Sequence, residues 1–521
     1  MAKVALVTPP QLYTLTQLAS VALPPIGGAY IASYLRSLGH QVTVIDGFGS
    51  AMDYFTKRGD FHLRGLTLPQ IIERIPLDVD VIAVSNMFSH GWPVVRDLTR
   101  DIKRVFPKIP VVTGGVHPTA LSAFVLSHGN IDYCVLGEGE ATMGELVERL
   151  MNERDVSDMD GLAYMGKDGQ PKKNEKTQLI QDLDTLPFPG YEMLPIESYI
   201  VAANPHGAAR GRWMPLIATR GCPYVCTFCT AEEMWIPKWR SRSPENLVDE
   251  MEHWNKTYRI TDFHFEDLTI VLQKQWALKF CNEIMNRGLK ITWQMPNGTR
   301  SEAVDDEVIE HLKVSGCTNI TFAPESGSPR TLKLIKKELD PEVLVAACKR
   351  ALKKDMVVCC FFIVGFPHET MEEIRETFKF IRWLARVGVN EISITAFTAL
   401  PGSALFRQLM EEGRITLDDK FFRELLYMSD LSWAPSWIPG VTDEQIAGLR
   451  RWGYAQFFFI NYLYHPSRLF RTAWNIMRGV SENKVERVGH EKMQALRQMM
   501  RRFIRRSPAG SSATAPALVE A

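Results

Sequence analysis

Short apolar runs alternate with helix-length amphipathic stretches along most of this 521-residue chain, and that rhythm limits what it can fold into. Strand, helix, strand in succession closes most simply as a parallel sheet with helices packed on its faces. In residues 1–150 the runs are Val4–Thr8, Gln41–Asp46, Val79–Ser85, Pro110–Gly114 and Tyr133–Leu136, with helical stretches such as Gly28–Leu38 and Val94–Phe106 between them. They predict an α/β domain with a doubly wound, Rossmann-like parallel sheet. The rhythm returns over 211–405, with candidate strands Pro215–Thr219, Asp262–Glu266, Ile291–Met295, Asn319–Ala323, Val357–Val364 and Glu391–Ala396. Six repeats predict a partial (β/α)6 barrel. Both architectures bind ligands beyond the carboxyl ends of their strands, so the loops that follow strands hold the chemistry.

Two stretches break the rhythm. Residues 151–210 read as a linker: Asp168-Gly169 marks a hairpin, and Leu186-Pro187-Phe188-Pro189-Gly190 cannot be helix interior. Residues 406–506 read as a helical region rich in Trp, Tyr, Phe and Arg, and 507–521 as a small, polar, disordered tail. The 60 basic residues equal the 60 acidic ones, which removes any general electrostatic case for nucleic-acid binding. The N-terminus, Met1–Pro10, reads as a strand and not as a signal peptide, and no stretch reaches the length that spans a bilayer. Of nine cysteines, six (Cys134, Cys281, Cys317, Cys348, Cys359 and Cys360) lie scattered in apolar segments. That pattern fits a reducing cytosol, so a cytoplasmic protein is expected.

The other three are grouped. Cys222, Cys226 and Cys229 stand at C-x3-C-x2-C spacing directly after the first candidate barrel strand. Three thiolates so close can hold one face of an iron–sulfur cube and leave the fourth iron open to a small molecule. A structural zinc site would need four ligands, usually from paired short motifs, and no second half stands nearby. With Phe228 before the last cysteine, the motif resembles that of the radical S-adenosylmethionine (SAM) superfamily. The resemblance implies a [4Fe–4S] cluster whose open iron chelates SAM, and whose reduction by an external electron donor yields a 5′-deoxyadenosyl radical. Weaker motifs extend it across the barrel. Glu266 and Asp267 look like the acidic element that meets the methionine amino group. Glu325 and Ser326 resemble ribose and carboxylate contacts, and Gly365 with Glu369 the adenine-binding turn. Arg300 follows the third strand, where a planar guanidinium could pair with the SAM carboxylate. Each also has a plainer reading, as a helix cap or a solvated loop charge.

Ahead of that barrel, Leu23-Pro24-Pro25-Ile26-Gly27, Thr113-Gly114-Gly115-Val116-His117-Pro118 and Gly137-Glu138-Gly139-Glu140 resemble the cobalamin-binding domain of the cobalamin-dependent radical SAM branch. The resemblance implies cobalamin contacts from Gly114, Gly115, His117, Gly137 and Glu138. Asp60-Phe61-His62-Leu63-Arg64-Gly65 fits a D-x-H-x-x-G pattern that supplies histidine to cobalt in some cobalamin proteins. It follows the second strand and not the first, which favours an ordinary surface histidine.

In the C-terminal region, aromatic residues from Trp452 to Tyr464 and arginines Arg468, Arg471 and Arg478 leave three readings open: peripheral membrane contact, a cap on the barrel mouth over an apolar substrate, or core packing. By resemblance the chain is expected to be a C-methyltransferase acting on an unactivated carbon of a small molecule. The rival within the class is a cyclase or rearrangement of the anaerobic magnesium-protoporphyrin cyclase type. An RNA methylthiotransferase is disfavoured, because the first 221 residues hold only Cys134 and the C-terminus reads helical. A non-catalytic electron carrier would have a fully ligated cluster. Catalytic side chains beyond the cofactor contacts are not assigned.

Overall fold

Val4 and Leu6 face one side of the first strand and Ala5 and Val7 the other, and all four are buried. A strand buried on both faces belongs inside a sheet covered by helices on both sides. A computed structural model, which describes residues 1–14, 21–59, 61–483, 485–490 and 492–493, shows that arrangement. Lys3–Thr8 pairs in parallel with Gln41–Asp46 on one side and Val81–Ser85 on the other. Val111–Gly114 and Tyr133–Val135 continue the sheet outward. The chain thus reverses direction across Lys3–Thr8, and the crevice beyond Thr8 and Ser85 is the ligand position of an open α/β sheet.

The hairpin at Asp168-Gly169 joins Leu162–Met165 to Pro171–Lys173, and the pair extends this first sheet to seven strands. Residues expected in the linker are therefore an edge of the N-terminal sheet. Tyr133↔Tyr164 and Cys134↔Ala163 satisfy backbone groups that Tyr133–Val135 would otherwise leave as an open edge.

The second sheet holds six strands in sequence order, all parallel: Trp213–Leu216, Asp262–Phe265, Thr292–Thr299, Cys317–Glu325, Val357–Val364 and Glu391–Ala396. The first ends earlier than expected, because Thr219–Arg220 leaves the sheet to form a two-stranded ribbon with Arg240–Ser241. The third and fourth run longer and shift register, between Met295 and Thr299 and between Phe322 and Glu325. Such bulges turn the following side chains toward a new direction.

Beyond the barrel, Asp419–Glu424 lies against the first domain, where Arg96 clamps Asp419 through both nitrogens at 2.6 and 3.0 Å. One buried cluster contains Val7 and Val84 of the first sheet together with Phe366, Phe397 and Phe422. The long helix Asp443–Tyr464 buries Ile446, Gly453 and Phe457 against Met371–Val387 and Glu391–Ala396. That inner face is core packing; among the described residues the helix flanks the last barrel strand.

Candidate active site

Gly221 enters the cysteine loop with φ +85°, and a side chain there would collide with the Lys238 carbonyl. The close approach needs glycine. Within the loop the Cys229 amide donates to the Cys226 carbonyl at 3.0 Å, and the Ala231 amide donates to Cys229 Sγ at 3.4 Å. Burial pushes the Cys229 thiol up to about 11, and the neighbouring Cys226 and Cys222 sulfurs add to it. A multi-iron cation takes such thiols as thiolates. Three cysteines are the donor type an iron–sulfur cluster takes, though among the described residues they are not already drawn together around a metal position. Phe228, the motif's aromatic, packs edge-on against Phe366 at 5.7 Å and so ties the loop to the turn after the fifth strand.

The strand-end residues divide into open and engaged groups. The Glu266 side chain is 6% exposed; its Oε2 accepts from Asn297 at 2.8 Å and lies 2.6 Å from His206 Nδ1, while Oε1 has no partner. Burial alone would raise its pKa, but the His206 charge and these bonds hold the carboxyl below its ordinary value. An ionised carboxylate with one free oxygen can take an ammonium group. Asp267 is occupied otherwise: it accepts from the Ala218 and Thr219 amides and from Thr219 Oγ1 at 2.6 Å. Burial raises it to about 7. Its place is behind the cysteine loop, which it latches to the second strand.

Arg300 lies 4.1 Å over the ring of Tyr224, inside the cysteine motif, and its guanidinium donates to Glu302 and the Glu338 carbonyl. Glu325 has φ +64°, an uncommon backbone for a non-glycine residue, and pairs with Lys337 at 3.1 Å. Burial raises its carboxyl, while Lys337 lowers both it and Cys226. Ser326 is fully buried, 2.9 Å from Thr377 Oγ1, and accepts from the Ser328 amide. It fixes the turn against a helix and is closed to a ligand. Glu369 accepts from the Gly365 and Phe366 amides at 2.8 and 3.0 Å and closes the Gly365–Glu369 turn from beneath; burial raises it to about 7.

On the first domain, Gly115 has φ +124°, and an added side chain would meet the Asn86 carbonyl oxygen at 2.6 Å. Gly114 and Ser85 are paired in the ladder, which brings the two post-strand loops together at the crevice. There both side-chain atoms of Asn86 are buried without a partner, beside exposed Met87 and Phe88. Unsatisfied amide groups next to exposed apolar side chains fit a large, partly apolar ligand. His117 is fully buried under Trp92 and Phe422, with Nδ1 2.9 Å from Ser89 Oγ. Burial drops it to about 3, so the ring is neutral. It lies beneath the loop and not on its surface. His62 sits on the antiparallel strand Phe61–Arg64, opposite Tyr13 of the short strand Gln11–Tyr13 that follows Thr8, and Asp60 lies outside the described residues.

Gly137-Glu138-Gly139-Glu140 meets protein. The Gly137 amide donates to Thr119 Oγ1 at 3.0 Å. Glu140 accepts from Arg220 at 2.6 Å, and Glu138 accepts from Arg240 at 2.7 Å and from the Ile180 amide. Arg220 and Arg240 stand directly opposite each other in the ribbon, and Arg220 is two residues before Cys222. Like charges facing across a ribbon repel, and the two carboxylates offset them. The motif thus bolts the first domain to the base of the cysteine loop. Lys337, His206 and Asn297 stand in no motif of the sequence; each partner lies 12 or more residues away.

Residues 16–147 match the B12 binding domain and residues 216–381 the radical SAM superfamily. Together the matches cover more than half of the chain, which belongs to the cobalamin-dependent radical SAM enzymes and uses a [4Fe–4S] cluster, SAM and cobalamin. An uncharacterized methyltransferase of Pyrococcus horikoshii is 28% identical over 88% of this chain and 92% of its own length. The cytidylyl-2-hydroxyethylphosphonate methyltransferase of Streptomyces wedmorensis is 29% identical over 82% of this chain and 84% of its own. The anaerobic magnesium-protoporphyrin IX monomethyl ester cyclase of Rubrivivax gelatinosus is 28% identical over 76% and 68%. Two solved structures share the fold. TsrM from Kitasatospora setae has TM-score 0.63 at 15% identity, covering 88% of this chain and 89% of TsrM. OxsB has TM-score 0.66 at 16% identity, covering 98% and 82%.

Proposed function

We propose that this enzyme is a C-methyltransferase that moves a methyl group to an unactivated carbon of a small molecule. The observation that carries the reading is the bolt between the two cofactor domains: buried Glu140 and Glu138 hold the cysteine loop against the B12 binding domain. When bound, the cluster with SAM supplies hydrogen abstraction and cobalamin supplies the methyl group. The chain's part is to place them. Cys222, Cys226 and Cys229 would hold the cluster, Glu266 offers its free Oε1 to the SAM ammonium, and Lys337 neutralises Glu325 near Cys226. Arg300, braced on Tyr224, stands where it can meet the SAM carboxylate. The loops at Asn86 and Gly115 carry the corrin. Asp267, Ser326, Gly365 and Glu369 shape the turns that these groups stand on.

Relatives named for a hopanoid and for a bacteriochlorophyllide support an apolar substrate, and an external donor would reduce the cluster. We also infer a peripheral contact with a membrane through the C-terminal helices. The test of the reaction is incubation with methyl-labelled SAM and cell extract after anaerobic reconstitution. Label should enter a carbon-bound methyl of product, and alanine at any of the three cysteines should abolish SAM cleavage while cobalamin still binds. Product formed without label would instead establish the cyclase or rearrangement reading, which the magnesium-protoporphyrin cyclase relative favours.

A further inference from the structure

The helix Asp443–Tyr464 and the following helix Pro466–Arg478 turn a strongly apolar surface outward. Trp452 and Phe459 are 61% and 71% exposed on the first, and Phe470 and Trp474 are 73% and 57% exposed on the second. At about 100° per residue, Leu469, Phe470, Ala473, Trp474 and Met477 form one continuous arc of about 140° on the second helix. Its opposite side holds the protein: Asn475 is buried and donates to Glu486 at 3.0 Å, and Arg468 donates to the Val389 carbonyl. Arg471 and Arg478 flank the arc, Arg471 paired with Glu482 and Arg478 over the Trp474 ring at 5.9 Å. Monomeric proteins rarely expose so many large apolar side chains together.

Charge says what covers them. From Gln445 to Ser481 the chain has five arginines and no acidic residue, in a chain whose charges balance overall; Arg450 is buried, and Arg451, Arg471 and Arg478 are exposed. No described helix is long and apolar enough to cross a membrane. We propose that this face lies in the interface of an anionic lipid bilayer, with Phe470 and Trp474 among the acyl chains and Arg471 and Arg478 at the lipid phosphates. The proposal rests on the peripheral contact inferred above and is independent of methyl transfer. Such a surface would bring an apolar substrate dissolved in the bilayer to the enzyme without passage through water.

The test is co-sedimentation of the full chain with vesicles of phosphatidylcholine alone and of phosphatidylcholine with phosphatidylglycerol. Binding should be strong only to the mixed vesicles and fall with salt. The double substitution Phe470→Ser/Trp474→Ser should weaken it about tenfold or more, since it removes two large apolar anchors. Arg478→Gln should weaken it about fivefold, the effect of one surface charge near an anionic membrane. These residues face solvent, so an unchanged thermal midpoint and cobalamin uptake will show that the variants fold. Failure to bind either vesicle would overturn both the peripheral contact and this face. Undiminished binding by the double variant would overturn this face alone. A protein that binds no vesicle but dissociates from a dimer on substitution would assign the face to a second copy of the chain.

Discussion

Replacing Glu140 by Gln should loosen the cysteine loop from the first domain without unfolding either. Four charged groups meet there, and their side chains are almost wholly buried: Arg220 and Arg240, Glu138 and Glu140. Their formal charges cancel. Glutamine keeps the shape and can still accept one hydrogen bond, but it leaves one buried positive charge unbalanced. Breaking a buried pair from one side costs about 3–5 kcal/mol. Glu138 still touches Arg220, at 3.4 Å, so the lower figure applies. At 1.36 kcal/mol per tenfold, about 3 kcal/mol raises local opening about 150-fold. Amide hydrogen exchange should show that acceleration together in 139–151 and 219–229, with the strands Lys3–Thr8 and Val357–Val364 unchanged. Glu140→Leu with Arg220→Met, which removes the bonded pair from both sides, should restore much of the protection. The pH dependence has a fixed sign. Burial raises Glu140, but Arg220 outweighs it and holds the carboxyl below its ordinary value. Its stabilisation is therefore full above the unfolded value near 4.5 and is lost as pH falls through the lower folded value. Exchange in the two segments within threefold of wild type, or a double variant as damaged as the single one, would refute the bolt.

Two further outcomes follow from buried groups. Asp267 and Glu369 are each raised to about 7, so folding favours their protonated forms. Their contribution is present below the unfolded values and lost as pH rises toward 7, at about 1.4 kcal/mol per pH unit for each group at most. The thermal midpoint of the cofactor-free protein should fall over that range, and Asp267→Asn with Glu369→Gln should flatten the slope; an unaltered slope contradicts the assignment. His117→Ala should cost about 3 kcal/mol of stability through lost packing against Trp92 and Phe422, with little change in cobalamin affinity. A titration showing lost cobalamin at an unchanged melting temperature would return His117 to the corrin surface.

The sheets were legible because their strands are buried on both faces and read as unbroken apolar runs; Val357–Val364 and Glu391–Ala396 were bounded correctly from that pattern alone. The cysteine loop was legible because its three donors are adjacent in sequence. Less visible was anything that depends on a distant partner. Glu138 and Glu140 stand in a loop where a ligand was expected, and their arginines lie 80 to 102 residues further on. Asn297 reaches Glu266 only because the third strand bulges between Met295 and Thr299, a register shift with no sequence signature beyond Pro296 and Gly298. Asp168-Gly169 marks the hairpin, but nothing local says which sheet edge it covers. His117 and Ser326 were read as contacts because they follow strands, yet a small or ring-shaped polar residue there can equally turn inward and hold the loop.

Backbone parity explains the division between residues that face a ligand and residues that build its support. On extended backbone, neighbours leave on opposite sides and alternate residues on the same side. Glu266 and Asp267 are neighbours just past the strand Asp262–Phe265. One turns toward His206 and Asn297 with an oxygen to spare, and the other turns back to the amides of Ala218 and Thr219. A paired acidic motif at a strand end therefore offers one ligand group and one brace, and the brace sets where the cysteine loop begins. Glu138 is the extended cap of the helix Gly139–Met151 and Glu140 lies in its first turn, and both reach Arg220. Adjacent carboxylates thus divide binding from support after the second barrel strand, while the cap and first turn of a helix concentrate charge between the domains. The brace holds Ala218 and Thr219 and the bolt holds Arg220, so the start of the cysteine loop is set jointly by the barrel and by the B12 binding domain.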